Sequence, residues 1–184
     1  MDQVKIDIIK NGGVGVIPTD TVYGLVCVAF NEEALKRMFE IKGRAENKPP
    51  VVLIADVSDL QKFGVELSGR SKILAEKFWP GPVSLIMPIK EELNYLDQGL
   101  GLAIRLPDDD LLRKILRLTG PLATTSANLQ NQPPARNAEE ARKYFGRRVD
   151  FYEEAGDLCQ VASTLVKIKG NNVEVLRQGK VKID

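Results

Sequence analysis

The chain has 184 residues, 43% of them hydrophobic and 28% charged, with a formal net charge of +1 at pH 7. Those figures suit one globular domain over residues 1–184, large enough to bury a core, and they argue against a nucleic-acid binder held by bulk charge. Histidine is absent, which removes Ser–His and Cys–His nucleophile pairs, histidine metal sites and an imidazole base. Any catalysis must use carboxylates, cations, hydroxyls, backbone donors or a metal brought by a substrate. The two cysteines, Cys27 and Cys159, lack C-x-x-C spacing and read as core thiols in a reducing compartment. No signal-peptide pattern and no membrane-length apolar run occurs, so a cytoplasmic location without membrane contact is expected.

In chain order, Val4 to Lys10 has helical apolar spacing and stops at "NGG", where a glycine can supply the left-handed cap. "VGVI" reads as a short buried strand ended by Pro18, and "LVCVAF" (Leu25 to Phe30) as a second. The gap between them is too short for a helical crossover, so antiparallel neighbours are expected. Asn31 caps a helix to about Ile41. "VVLIA" is a strand, "SDLQKF" a short helix, and Ser71 to Phe78 a helix. "VSLIMPI", "GLAIRL" and "LATTS" are strands, with a helix over Asp109 to Leu118 before the last. Asn137 caps a helix to Phe145. "STLVKI" and "VEVLR" form a hairpin around "KGNN". Alternating helices and strands with hairpin-like joins predict an α/β domain on one mixed, twisted parallel/antiparallel sheet with flanking helices.

Four stretches can carry chemistry. "IKGRAENKPP" gathers Lys42, Arg44 and Lys48 beyond a Gly43 that should stop a helix. It is either a solvated helix end or an anion site. "PTDTVYGL" places Thr19, Asp20, Thr21 and Tyr23 between two strands, where a binding loop and a plain polar turn are both consistent. "TTSAN" ends a strand in Ser126 and Asn128, whose hydroxyl and nearby amides suit phosphate or carboxylate, or simply close the strand. "GLAIRLP" sets Arg105 among apolar neighbours, facing either solvent or a bidentate anion. Ser163, Thr164 and Arg177 close the C-terminal hairpin. "FWPGP" reads as a rigid strand entry without chemistry. Neither a Walker A loop nor a G-x-G-x-x-G is present.

Taken in order, "PTDTVYGL", "KGR", "FWPGP", "AIRLP", "SAN" and "ST…LRQG" resemble the YrdC family of threonylcarbamoyl-AMP synthases. The resemblance covers essentially the whole chain, in the form without an extra C-terminal domain. It implies a fold with a large central cleft. It also implies a reaction of L-threonine, bicarbonate and ATP, with Mg²⁺ carried by the nucleotide, giving threonylcarbamoyladenylate and pyrophosphate for t6A modification of tRNA. Such chemistry needs positioning and charge neutralisation, for which Arg, Lys and Mg²⁺ suffice.

By the same resemblance, Lys42 and Arg44 are the catalytic cations on the triphosphate. Lys48, Ser126, Asn128, Pro134 and Arg177 join them around ATP, while Thr21, Arg105, Thr124 and Ser163 hold L-threonine. No resident metal site is implied. Partners implied are the downstream tRNA threonylcarbamoyl transfer machinery and direct contact with tRNA or double-stranded RNA. Alternative readings are an RNA-binding module and an ATP-using carbamoyl transfer domain with another acceptor. The chain departs from the family pattern at Ala45 and at Pro49-Pro50, and in the acidic run Asp108 to Asp110. It departs also at Leu53, where a histidine near the threonine is common; weaker reading of the substrate hydroxyl is expected there.

Overall fold

A computed structural model describes residues 1–43, 49–97, 99, 101–158, 161–170 and 172–183. Helix α1 (Gln3–Lys10) precedes β1 (Gly15–Ile17) and β2 (Gly24–Val28), which pair antiparallel as their short connection requires. Helix α2 (Glu32–Lys42) starts at Asn31, whose Oδ1 accepts from the Ala34 amide at 2.9 Å. It stops at Gly43, in the left-handed region at φ 63° that glycine adopts without Cβ strain. Strand β3 (Val51–Leu53) is followed by a 3-10 helix over Val57–Phe63, then α3 (Gly69–Phe78) and β4 (Val83–Met87). Helix α4 (Asn94–Asp97), β5 (Leu102–Arg105), α5 (Asp110–Thr119) and β6 (Leu122–Ser126) follow. Last come α6 (Ala138–Phe145), β7 (Phe151–Tyr152), β8 (Thr164–Lys169) and β9 (Asn172–Arg177).

The described strands form one mixed sheet in the order β7-β1-β2-β6-β3-β5-β4-β8-β9. Pairs β1/β7, β3/β5 and β4/β8 are parallel and the rest antiparallel. The mixed α/β architecture therefore stands as expected, and β8/β9 is the expected hairpin. Three readings are corrected. "SDLQKF" is a 3-10 helix, α3 begins two residues before Ser71, and several strands are shorter than their apolar runs. Strand β7 and α4 escape the sequence reading because two and four residues carry no usable period.

Side chains of a strand alternate between faces, and that alternation builds the site. One face sends Leu25, Cys27, Val52, Leu85, Met87, Ile104 and Ala123 against Leu35, Met38 and Phe39 of α2 and against α3 and α6. Cys27 is fully buried there beside Met38 and burial pushes its thiol up to about 12, so it is an inert core thiol; Cys159 lies outside the described residues. On the other face, Ile17, Val26, Leu53 and Leu122 pack under Ile9 of α1 and Leu112 and Leu116 of α5. Gly24, Val51 and Thr124, two residues along the same strands, and Arg105 on β5 opposite Leu53 lie on this face and border an open cleft. Among the described residues no helix is long and apolar enough to cross a membrane.

Candidate functional site

The cleft has a volume of about 750 Å³, within the range of small-molecule sites. Its floor is the same-face row Ile86, Ala103, Arg105, Val51 and Thr124; its rims are the 19–24 and 126–134 loops and the Ala162–Lys167 stretch with Arg177. The described lining holds four cations, Lys42, Arg105, Lys167 and Arg177, and no carboxylate.

Lys42 ends α2, buried at 5% exposure. Its Nζ donates to the Ser126 carbonyl at 2.5 Å, to the Asn128 carbonyl at 3.2 Å and to Asn128 Oδ1 at 3.0 Å, with Ser126 Oγ at 3.3 Å. Ser126 Oγ donates to Asn128 Oδ1 at 2.6 Å, and Asn128 Nδ2 donates to the Leu129 and Gln132 carbonyls. Lys42 is thus a buried staple that fixes the 126–132 turn. Its side-chain donors are largely taken by protein oxygens, which the C-terminal-turn reading of the sequence did not foresee. Arg44 and Lys48 lie outside the described residues. Pro134 lines the cleft on the far side of that turn.

Arg105 is 4% exposed at the end of β5 and lines the cleft, so the inward orientation holds. Its anion, however, is already within the protein: Nη2 lies 3.0 Å from Asp20 Oδ1, with both side chains nearly fully buried. The sequence left solvent and an anion both open for Arg105; the structure supplies an anion from the protein itself, Asp20. Burial pushes the guanidinium below its ordinary value, Asp20 pulls it back up, and Arg177 adds to the lowering. Its Nε finds no hydrogen-bond partner among the described residues, a buried donor whose desolvation is left uncompensated. Asp20 Oδ2 accepts from the Asp108 amide at 3.4 Å.

Thr21 and Thr19 share a hydroxyl contact at 3.0 Å, and Thr19 Oγ1 donates to the Val22 carbonyl at 2.7 Å. That side-chain turn holds the "PTDT" loop on the cleft. Thr19 lines the cleft too and was missed as a site residue, since nothing in the sequence ranks it apart from Thr21. Tyr23 turns away: fully buried, it donates to the Gly156 carbonyl and accepts from the Ala155 amide. Thr124 lies opposite Val26 and Val51 in the ladder and faces the cleft. Gly24 leaves room for it, because a Cβ there would come 2.6 Å from Thr124 Oγ1.

Ser163, buried, shares a 2.9 Å hydroxyl contact with Ser84. Arg177 donates from Nε to the Ser163 carbonyl and from Nη2 to Ser163 Oγ, each at 3.1 Å. Gly179 explains the closing glycine of "LRQG": any Cβ would strike the backbone of Ala162, Ser163 and Thr164. Leu53 is fully buried under α1 and α5 and does not border the cleft. The weaker hydroxyl recognition expected from that position has no direct contact to act through. Every other described candidate, Lys42, Ser126, Asn128, Pro134, Arg177, Thr21, Arg105, Thr124 and Ser163, lines this one cleft.

A family model for Sua5/YciO/YrdC, described as "Telomere recombination", matches residues 7–179. A relative from Mycobacterium tuberculosis (strain ATCC 25618 / H37Rv) is 35% identical over 176 residues, covering 94% of this chain and 81% of its own. The threonylcarbamoyl-AMP synthase of Homo sapiens is 38% identical over 173 residues, 87% of this chain and 60% of that one. The crystal structure of P. abyssi Sua5 complexed with L-threonine superposes with a TM-score of 0.89 at 31% identity, over 96% of this chain. The chain spans about half of that protein, 53% of its length.

Proposed function

The chain belongs to the Sua5/YciO/YrdC family, and we propose that it is a threonylcarbamoyl-AMP synthase. L-threonine and bicarbonate give N-carboxythreonine and water; a carbamate oxygen then attacks the α-phosphorus of ATP, forming threonylcarbamoyladenylate and expelling pyrophosphate. The product is passed to machinery that transfers the threonylcarbamoyl group to tRNA. The observation carrying this reading is that the described cleft lining holds four cations and no carboxylate, with the sheet-borne Arg105 Nε buried at its floor and without a hydrogen-bond partner among the described residues.

In this reading the guanidinium of Arg105 takes the threonine carboxylate, a planar fork meeting a planar anion. Asp20 holds that fork in place from behind. Thr21, Thr124 and Ser163 surround the amino acid with hydroxyls that both donate and accept. Ser126 and Asn128, fixed by Lys42, face the nucleotide from one rim, with Pro134 beside them and Arg177 on the other rim. Arg44 and Lys48 enter from the sequence alone as further triphosphate cations. Rigid donors and charges placed before the reaction stabilise the charge that develops at phosphorus without reorganising. Among the described residues no cluster of three or more His, Cys, Asp or Glu is placed to hold a metal, so magnesium is read as part of the nucleotide substrate.

The test is to incubate the protein with ATP, bicarbonate and each amino acid in turn, and to measure pyrophosphate. Release that requires threonine and bicarbonate, and stops with a chelator without change in melting temperature, is the expected result. Absence of release, or release indifferent to the amino acid, overturns the reading.

A further inference from the structure

Three of the four cations in the described cleft lining have protein partners that account for their placement. Lys42 holds the 126–128 turn, Arg105 faces Asp20, and Arg177 bonds Ser163. Lys167 is different. It is half-buried on β8, lines the cleft, and has no hydrogen bond or ion pair to a described residue. Its cross-strand neighbours are Ile86 on β4 and Glu174 on β9. That carboxylate is taken by Lys169, at 3.0 Å. A lysine partly desolvated in a cationic cleft, with its nearest acid engaged elsewhere, gains most from an anion supplied by a ligand.

The register locates that anion relative to Arg105. Ile86 opposes both Ala103 and Lys167, so Lys167 lies two strands across and two residues along from Arg105. At about 4.8 Å per strand and 3.3 Å per residue, the two backbone positions are roughly 12 Å apart. One amino-acid carboxylate gripped by Arg105 leaves Lys167 to a second anionic group. From this placement we infer that Lys167 contacts the phosphate chain of the bound nucleotide, a binding role that rests on the function proposed above.

The experiment is calorimetric titration of ATP, adenosine and L-threonine into wild type, Lys167→Gln, Lys167→Arg and Lys10→Gln. Lys10→Gln removes the same charge from an exposed position outside the cleft and leaves the Lys169–Glu174 pair intact. Loss of a charge-assisted contact in Lys167→Gln should weaken ATP by roughly ten- to a hundredfold, with adenosine and threonine unchanged and Lys167→Arg recovering most of the loss. Unchanged ATP affinity in Lys167→Gln overturns the inference. So does an equal loss for adenosine, a loss for threonine instead, or an equal loss in Lys10→Gln, which would reveal only a general field. Wild type that binds no ATP would instead remove the proposed function itself. Matching melting curves of the variants separate a lost contact from a damaged fold.

Discussion

Truncating Arg105 should do two separable things, and the structure says how to separate them. In Arg105→Ala the Asp20 carboxylate stays behind with a side chain only 5% exposed, its remaining hydrogen bond among the described residues coming from the Asp108 amide. Removing one member of a buried ion pair costs about 3–5 kcal/mol, because the other charge is left desolvated and unpaired. For a chain of 184 residues each kcal/mol moves the melting temperature by about 2–4 °C, giving a fall of roughly 6–20 °C. Threonine affinity should fall as well, while ATP affinity changes little. Arg105→Lys separates the two effects. An ammonium can still neutralise Asp20 but lacks the fork, so stability should largely return and threonine binding should not. The assay is thermal and urea unfolding of Asp20→Asn, Arg105→Leu and the double variant, with threonine calorimetry well below each midpoint. A coupling of about 1–3 kcal/mol is expected for residues in direct contact. Additive single effects would show that the pair does not hold Arg105. Threonine binding at wild-type strength in Arg105→Lys would remove the carboxylate role.

Lys42→Met keeps much of the side-chain volume but strips the Ser126 and Asn128 carbonyls of their donor. It should destabilise by roughly 2–3 kcal/mol and lower pyrophosphate release on the order of 10²-fold, and a stable, active variant would refute the staple. Gly179→Ala must push the 162–164 backbone away from Arg177, so substrate KM should rise with a modest loss of stability; unchanged kinetics would show that the rim has slack. Asp150 is held below the usual carboxylate value by its hydrogen bonds from Arg37, against desolvation and with help from the Val14 amide. A depressed folded value means that its stabilisation is complete above the ordinary 3.8 and is lost as pH falls through the lower folded value. Unfolding midpoints of Asp150→Asn should therefore drop by the equivalent of about 1 kcal/mol near neutral pH for this partly exposed pair, and converge with wild type once the pH has fallen below the lowered folded value. A constant gap across that range would exclude the linkage.

Local rules and pattern make much of the molecule legible in its sequence. Asn31, Asn137 and Asp109 cap their helices as short polar side chains do, and Gly43 ends α2 where a left-handed residue was needed. The short β1–β2 connection determined their antiparallel pairing, and the absence of histidine removed whole classes of mechanism. The ordered motifs identified the family and nine of the 24 described residues that line the cleft. What the sequence left open was decided by contacts between segments far apart in the chain. Lys42 meets Ser126 across 84 positions, and Arg105 meets Asp20 across the sheet. A charged side chain looks the same in sequence whether it faces water, a buried partner or a ligand; only packing sets its dielectric surroundings and supplies its counter-charge. Leu53 and Val51 share a strand face, yet α1 and α5 cover one and leave the other on the cleft. Alternation along a strand gives the face, but which stretch of that face stays open depends on where the covering helices end.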